Sequence, residues 1–204
     1  MKKKVLFVVL LCLYTLTTAA QSVVLNAKGR DSVYVESIVK RSQKIVDGLQ
    51  LNDKETSLNV RNVIANRYFL LNDIHEANKD NNDKRDAELY KHHFELTSAL
   101  KQFLTEEQID AVKDGMTFGR LKRDYNATLD MIPSLTDEEK LQVLIWLKEA
   151  REYAMDAADS KGKHFWFDKY RGRTNNWLSS RGYDLKKERD KWMKRTEQQK
   201  AKQP

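Results

Sequence analysis

The sequence predicts an all-α protein, a single-domain helical bundle of about six to eight helices. Three observations support this prediction. The 204 residues include only two prolines and seven glycines, the residues that most often break helices. Apolar residues recur every three or four positions through most of the chain, as they do on one face of a helix. The length is also sufficient for one hydrophobic core.

The first twenty residues have the pattern of a secretory signal peptide. Lysines at positions 2–4 precede an apolar stretch at 5–16, and Thr18, Ala19 and Ala20 form a small-residue cleavage site. The apolar stretch is too short to span a membrane comfortably. We therefore predict a periplasmic or secreted protein with no integral membrane anchor after cleavage. The mature chain would consist of a helical domain at 21–195 and a polar tail at 196–204.

Cysteine content and net charge exclude several kinds of site. The only cysteine, Cys12, lies within the signal peptide, so the mature chain would contain no disulfide, thiolate metal site or cysteine nucleophile. Removing the three leader lysines from 37 basic residues leaves 34 against 30 acidic residues, a balance of +4. Because the protein is weakly basic and exported, we predict no nucleic-acid partner.

Two amphipathic helices are predicted in the first part of the mature chain. Apolar positions recur over residues 35–49, and Gly48 closes this first helix. Asn52 is the predicted N-cap of the second helix, with Glu55 reaching back to the cap amide. The apolar side of the second helix continues to Ile74.

Three histidines follow, His75 beside this apolar side and His92 and His93 in the next helical segment, at 87–103. Two helices that present histidines could hold a metal ion. However, adjacent residues on a helix point about 100° apart, so only one of His92 and His93 could join His75. We therefore favour hydrogen-bonded or exposed histidines and predict no metal or other cofactor.

Two capping boxes mark helix starts in the middle of the chain. Thr105 is paired with Gln108 in the first, and Thr136 opens the same pattern in the second. Between them, Gly115 and Gly119 form a turn. Glycines at such a position most often end one helix and begin another, although they also let a ligand approach the backbone closely.

The helix that follows Thr136 has the clearest pattern in the chain. Its first half is apolar almost all round, which predicts that residues 141–147 lie at the centre of the bundle. Opposite its alanines, Glu149, Glu152 and Asp156 share one face at i, i+3 and i+7. Such carboxylates can divide acid and base roles if burial separates their pKa values. An ion-paired or solvated face is the simpler interpretation.

Residues 164–184 hold the densest group of aromatic rings, guanidinium groups and side-chain amides in the chain, and residues 163–181 are predicted to be helical. As a helix, this segment divides into two opposed rows. One row is aromatic and would pack on the core: Trp166, Tyr170 and Trp177, with Arg173 at its edge. The other row is polar: His164, Asp168, Arg171 and Asn175. The polar row could hold an oxygen-rich ligand, or its members could pair with one another on an exposed face.

Three segments of the second half are specific when taken together: VKDGMTFG, LTDEEKLQVLIWLKEAREYAMDAADS and KHFWFDKYRGRTNNWLSSRGYDLKKE. They resemble a family of secreted, all-helical bacterial proteins of unknown function, and the resemblance covers residues 104–188 best. It implies export and a helical architecture, and it suggests an association with glycan uptake and degradation. The pentamers LTEEQ and LTDEE are also similar to motifs of small periplasmic helical chaperones.

These observations allow three functions. The first is an extracytoplasmic accessory or binding protein for carbohydrate, with an oligosaccharide as its partner. The second is a sugar-acting hydrolase or lyase that uses carboxylates of the central helix, or His164, as acid or base. The third is a chaperone-like helical protein, which would need a contiguous exposed apolar surface. The candidate ligand-binding residues are His164, Asp168, Arg171, Arg173, Asn175, Glu149, Glu152 and Asp156. An enzyme requires that its charged groups converge on one cleft.

Overall fold

The computed structural model describes residues 22–201. The predicted signal peptide and the last three residues of the predicted polar tail lie outside this range. Within it the protein is all-α, without strands, and the predicted helical bundle is confirmed. The helices are α1 Ser32–Asp47, α2 Lys54–Ala77, α3 Asn82–His92, α4 Glu95–Leu100, α5 Glu106–Met116, α6 Arg120–Met131, α7 Asp137–Met155, α8 Ser160–Ser180 and α9 Leu185–Lys200.

The helices differ from the sequence prediction in two places. Residues 87–103 do not form one helix, because His93 and Phe94 separate α3 from α4. This division accounts for a ninth helix among residues 22–201. Helix α9 continues through residues 196–200, which the sequence assigns to a polar tail. None of the described helices combines the length and the apolar character needed to cross a membrane.

Both predicted capping boxes are confirmed. The Thr105 amide donates to Gln108 Oε1 at 3.0 Å, and the Gln108 amide donates to Thr105 Oγ1 at 3.3 Å. The N-cap predicted for α2 is wrong by one residue. Asp53, and not Asn52, accepts from the Thr56 amide at 2.6 Å, because a capping oxygen must meet the amide three residues further on.

Helix α2 lies at the centre of the larger apolar cluster. Eleven of its 24 residues are buried, and its apolar side belongs to a cluster that also contains residues of α1, α4 and α5. A second cluster joins α6, α7 and α8. The prediction that residues 141–147 lie at the centre of the bundle is wrong in part. Val143 and Leu147 are buried, whereas Leu141 and Ile145 are exposed because they lie on the side of α7 turned away from its packed face.

The aromatic row of α8 packs on the second cluster, as its helical spacing predicts. Tyr170 is buried, and Trp166 and Trp177 are partly buried against α6 and α7. The deepest residues of the helix are Phe167 and Leu178, which have no exposed surface. The aromatic row therefore lies beside Phe167 and Leu178, the residues through which α8 packs most deeply on the core.

The interface of α5 and α7 contains a buried arginine. The side chain of Arg151 is 2% exposed, and its guanidinium donates to Asp110 Oδ1 and Asp114 Oδ1, each at 2.6 Å. Both carboxylates extend from α5 to a residue on the buried side of α7. The buried charge of Arg151 is therefore compensated by the carboxylates of Asp110 and Asp114. A charge buried without such partners would be strongly destabilising.

Glu139 joins the start of α7 to the segment that connects α8 and α9. Besides its role in the second capping box with Thr136, its carboxylate accepts from the Tyr183 hydroxyl at 2.6 Å and from Arg181 Nε at 2.6 Å. Hydrogen bonds from Tyr183 and from the Thr136 amide, together with the Arg181 guanidinium, lower the pKa of Glu139 to about 2.

The stability of the protein is therefore expected to fall in acid partly through Glu139. Because the pKa of Glu139 is lower in the folded than in the unfolded state, its contribution is complete above pH ~4.5 and is lost as the pH falls toward 2. Glu139→Gln keeps an N3 side chain that can complete the capping box but removes the charge. We expect the variant to lose about 2 kcal/mol at pH 7 and to show a flatter acid limb.

Urea unfolding between pH 2.5 and pH 7 measures this effect. Glu138→Gln is the matched control, because Glu138 is the exposed neighbour on the same turn. The flattening is partial, since Glu152 also titrates at about 2. Parallel pH profiles for wild type and Glu139→Gln would contradict the expectation.

Candidate functional site

A cleft of about 650 Å³ opens where α3 faces the C-terminal half of α7 and the start of α8. We call it the aromatic cleft. Its walls carry four aromatic rings: Tyr90, Phe94, Tyr153 and Trp166. Its floor is formed by charged and polar side chains of α2, α3 and α7. Ala157 and Ala158, which connect α7 to α8, close one end.

The aromatic rings at the rim are unusually exposed. Tyr90 is 73% and Phe94 62% exposed, and their rings meet edge to face at 6.1 Å between centroids. They lie four residues apart, so they occupy the same side of the chain as α3 ends. On the opposite wall, Tyr153 stacks on Trp166 with centroids 4.5 Å apart and planes 18° from parallel. Tyr153 also stacks on Tyr170 at 6.3 Å, and Lys169 Nζ lies 4.7 Å from the centroid of the Trp166 ring, so the faces of these two rings are partly covered. Together the four rings give the cleft an exposed aromatic lining.

The Asp156 carboxylate organises the floor. One oxygen accepts from Arg67 Nη2 at 2.5 Å, and the other accepts from His93 Nδ1 at 2.6 Å. The backbone oxygen of Asp156 lies 2.8 Å from His75 Nε2. Arg67 is almost completely buried and also donates to the His92 carbonyl at 2.8 Å. Asp156 thus ties the end of α7 to α2 and to the end of α3.

Glu152, one turn earlier on α7, extends this network. It accepts from Lys113 Nζ at 2.9 Å, and its Oε2 lies 3.6 Å from His93 Nε2. His93 is therefore held between two carboxylates, with one ring nitrogen directed at each. Such a fixed orientation leaves the imidazole little freedom to turn toward a ligand.

The network sets the protonation states of its members. Hydrogen bonds to Asp156 and then to Glu152 raise the pKa of His93 to about 9. Burial alone would raise the pKa of Glu152, but hydrogen bonds from His93 and Lys113 outweigh it and lower the pKa to about 2. At neutral pH His93 is therefore protonated and Glu152 ionised. Acid–base catalysis is most efficient with a pKa near the working pH, so these groups suit binding better than proton transfer.

Three of the residues proposed from the sequence line the aromatic cleft: Glu149, Glu152 and Asp156. They share one face of α7, as their spacing predicts, and they are ion-paired. They do not face the arginines of α8 across a pocket. Their main partners come from α2, α3 and α5, and only Glu149 lies near α8, 3.5 Å from Arg173 Nη1.

The other candidate residues lie elsewhere. On α8, His164 and Asp168 contact Arg120 of α6, with Arg120 Nη1 2.8 Å from His164 Nδ1 and Nη2 3.1 Å from Asp168 Oδ1. Arg171 pairs with Asp168 at 3.3 Å on the exposed side. None of these side chains lines the aromatic cleft or the cavity on the other side of Ala157 and Ala158.

Arg173 and Asn175 also lie outside the aromatic cleft. The Arg173 guanidinium is 4.7 Å from the centroid of the Trp146 ring, and Asn175 is half-buried on the same helix. The structure therefore divides the predicted set into three carboxylates at the cleft and five side chains away from it.

Sequence reasoning did not identify the aromatic walls. Tyr90 and Phe94 lie in a strongly polar segment, and their spacing of four residues is the one local sign of an exposed aromatic pair. Trp166 belongs to the row predicted for the core, and it packs there on one side while its other side lines the cleft.

The histidines are hydrogen-bonded, as expected. His75 and His93 both contact Asp156, and His92 Nδ1 lies 2.8 Å from Glu95 Oε1. Within residues 22–201, no group of three or more histidine, aspartate or glutamate side chains is arranged to hold a metal ion.

A family model described as "Protein of unknown function (DUF3826)" matches residues 35–84 and 76–198 of the chain. No curated protein matches the sequence. The matched residues include α2 to α8 and every side chain that lines the aromatic cleft.

Proposed function

Because the chain belongs to the DUF3826 family of proteins of unknown function, we propose its function from the site itself. It is an extracytoplasmic binding protein that holds a carbohydrate in the aromatic cleft without transforming it. The observation that carries this proposal is the set of exposed aromatic rings above a floor of fixed hydrogen-bonding groups.

Sugar rings have chemistry that fits such a cleft. One face of a pyranose presents C–H groups that pack on an aromatic ring, while the edge presents hydroxyl groups that donate and accept hydrogen bonds. Tyr153 and Trp166 supply the stacked platform, and Tyr90 and Phe94 supply a second aromatic wall. The volume of about 650 Å³ is within the range of small-molecule sites. It is suited to a short oligosaccharide segment.

The charges of the cleft favour a sugar without a carboxylate. Arg85 is paired with Asp86 at 2.9 Å, and His93 is held by Asp156 and Glu152. Behind the floor, Arg67 is directed at Asp156, and Lys113 is directed at Glu152. Each of these cations already has a carboxylate partner, so none is available to hold a uronic acid. We therefore expect the ligand to be a neutral sugar or an amino sugar.

Isothermal titration calorimetry against neutral, amino-sugar and uronate oligosaccharides tests the proposal. We expect binding to a neutral or amino-sugar member and no binding to uronates in the cleft. Tyr153→Ala removes half of the stacked platform and is expected to weaken binding about fivefold, since one aromatic contact contributes roughly 1 kcal/mol.

Leu141→Ala is the matched control, because Leu141 is an exposed apolar side chain of the same helix that lines neither described cavity. The proposal is wrong if the panel gives no binding, or if both substitutions weaken binding equally.

A sugar-acting hydrolase or lyase is the second candidate, because Glu149, Glu152 and Asp156 converge on one cleft. Chromatography of the bound oligosaccharide after prolonged incubation separates the two. Intact ligand supports binding alone, whereas shortened products that disappear with Glu152→Gln would establish catalysis.

A further inference from the structure

A second cavity, of about 800 Å³, lies on the other side of Ala157 and Ala158 from the aromatic cleft. Helices α1, α2 and α5 form its walls, together with the start of α8. Three cationic side chains line it: Arg41, Lys44 and Lys163. We call it the cationic pocket.

Lys163 is the most unusual of these residues because its buried charge has no counter-ion within residues 22–201. Only 5% of the residue is exposed. Five charged side chains are buried in the described part of the chain: Arg67, Arg120, Glu139, Arg151 and Lys163. The first four each form an ion pair. For Lys163, no ion pair is present among residues 22–201.

The Lys163 ammonium group is instead held by backbone carbonyls. Its Nζ donates to the Ala154 oxygen at 3.2 Å and to the Met155 oxygen at 3.4 Å, at the C-terminus of α7. Cations are stabilised at this end of a helix by the exposed carbonyls. An ammonium group has three N–H donors, and these two carbonyls engage two of them.

Arg41 and Lys44 add charge that is likewise not neutralised within residues 22–201. Both are exposed on α1, one turn apart, and neither forms an ion pair there. The acidic residue of the lining, Asp159, is the N-cap of α8 and accepts from the Gly162 amide at 2.7 Å. Three cations against one engaged carboxylate give the cavity a net positive charge.

The remaining walls of the cavity are mainly apolar. They include Ile45 of α1, Leu49 just after α1, Tyr68 of α2, Met116 of α5 and Phe118 just before α6. The Arg41 guanidinium lies 5.6 Å from the Tyr68 ring centroid, so charge and apolar surface meet within the same cavity. A ligand that satisfies both has an anionic head and an apolar body.

We propose that the cationic pocket binds an amphipathic organic anion, with a carboxylate or phosphate head held by Lys163, Arg41 and Lys44. The apolar body of the ligand packs against Ile45, Leu49 and Tyr68. An anion there supplies a counter-ion for Lys163, which has none in the described part of the chain. This site does not depend on carbohydrate binding in the aromatic cleft.

Fluorescence titration with two related dyes tests the proposal on the full mature chain. The anionic probe is 8-anilinonaphthalene-1-sulfonate, and the neutral probe with the same ring system is N-phenyl-1-naphthylamine. We expect saturable binding of the anionic dye at one site. The double variant Arg41→Gln/Lys44→Gln should weaken that binding about tenfold and leave the weaker binding of the neutral dye unchanged.

The matched control is Lys40→Gln/Lys54→Gln, which removes the same charge from exposed lysines of α1 and α2 outside the pocket. If the control lowers the affinity as much as the pocket variant, or if both dyes bind equally to the wild type, the proposal is overturned. Displacement of the anionic dye by octanoate or by octyl phosphate identifies the head group. Displacement by neither also overturns it.

The pH dependence of dye binding provides a second readout. Burial lowers the pKa of Lys163 to about 8. The positive charges of Arg41 and Arg67 also lower it, whereas the negative charges of Asp156 and Asp159 raise it. The sulfonate keeps its charge throughout this range. Affinity is therefore expected to fall as the pH rises through about 8 in the wild type. A constant affinity from pH 7 to pH 9.5 would exclude Lys163 from the site.

Discussion

Asp156→Ala is expected to lower the free energy of unfolding by about 3–5 kcal/mol. The substitution removes the shared partner of Arg67 and His93, which belong to different helical segments. The Arg67 side chain is only 3% exposed, so its charge cannot be hydrated once the carboxylate is gone. Breaking a buried pair from one side leaves the other charge without compensation, which is the costly case.

Urea unfolding followed by far-ultraviolet circular dichroism at pH 7 measures this loss. Glu149→Ala is the matched control, because Glu149 lines the same cleft on the same helix but pairs with an exposed arginine at 3.5 Å. Exposed ion pairs contribute about 0–1 kcal/mol to the free energy of unfolding. Equal losses in the two variants would contradict the central role of Asp156.

The same network predicts a change at His93 that unfolding does not report. In Asp156→Asn the side chain keeps its shape and loses its charge, so the pKa of His93 should fall from about 9 toward its ordinary value. Histidine ring signals in a nuclear magnetic resonance titration would show this shift directly. An unchanged titration would mean that another group holds the proton on His93.

Arg151→Ala is expected to cause the second large loss, about 2–5 kcal/mol, chiefly from the lost packing. The alanine leaves a cavity between α5 and α7 and removes the shared partner of Asp110 and Asp114. Arg151→Met should be milder, because methionine fills much of the space. The two aspartates remain partly exposed and can be hydrated, so they do not become isolated buried charges.

Lys148→Ala is the control for this prediction. Lys148 lies on the same helix and contacts the same Asp110, but at 3.9 Å and with half of its side chain exposed. Its loss should cost less than about 0.5 kcal/mol. If Arg151→Met destabilises the protein as strongly as Arg151→Ala, the ion pairs and not the packing determine the stability of this interface.

Much of the helical architecture could be predicted from sequence because its signals are local. A capping box is complete within four residues, and both boxes, at Thr105 and at Thr136, form as expected. The phase of α8 is also local, so the division between its aromatic and polar rows holds. The position of α7 in the bundle is not a local property. Leu141 and Ile145 are exposed because neighbouring helices cover only one side of α7.

The aromatic cleft could be predicted only in part. The shared face of Glu149, Glu152 and Asp156 follows from helical spacing within α7. The groups that complete the floor come from distant positions, since Arg67 is 89 residues and His93 63 residues from Asp156 along the chain. Their meeting depends on how α2 and α3 dock, which no short pattern encodes.

The role of the polar row of α8 could not be predicted from its spacing alone. Its spacing correctly places His164 and Asp168 together, but spacing does not reveal what another helix brings to them. Arg120 of α6 occupies their hydrogen-bonding atoms. A row that looks like a ligand site in one helix can therefore be a helix–helix contact in the folded chain.

Ala157 and Ala158 have a consequence for how the protein can vary in evolution. Both residues belong to the walls of the aromatic cleft and of the cationic pocket. A larger side chain at either position would narrow two cavities at once. Gly162 adds a further constraint, because a β-carbon there would lie 3.0 Å from that of Ala157. The shapes of the two cavities are therefore coupled at Ala157 and Ala158. A mutation that changes one cavity at these positions is also subject to selection for its effect on the other.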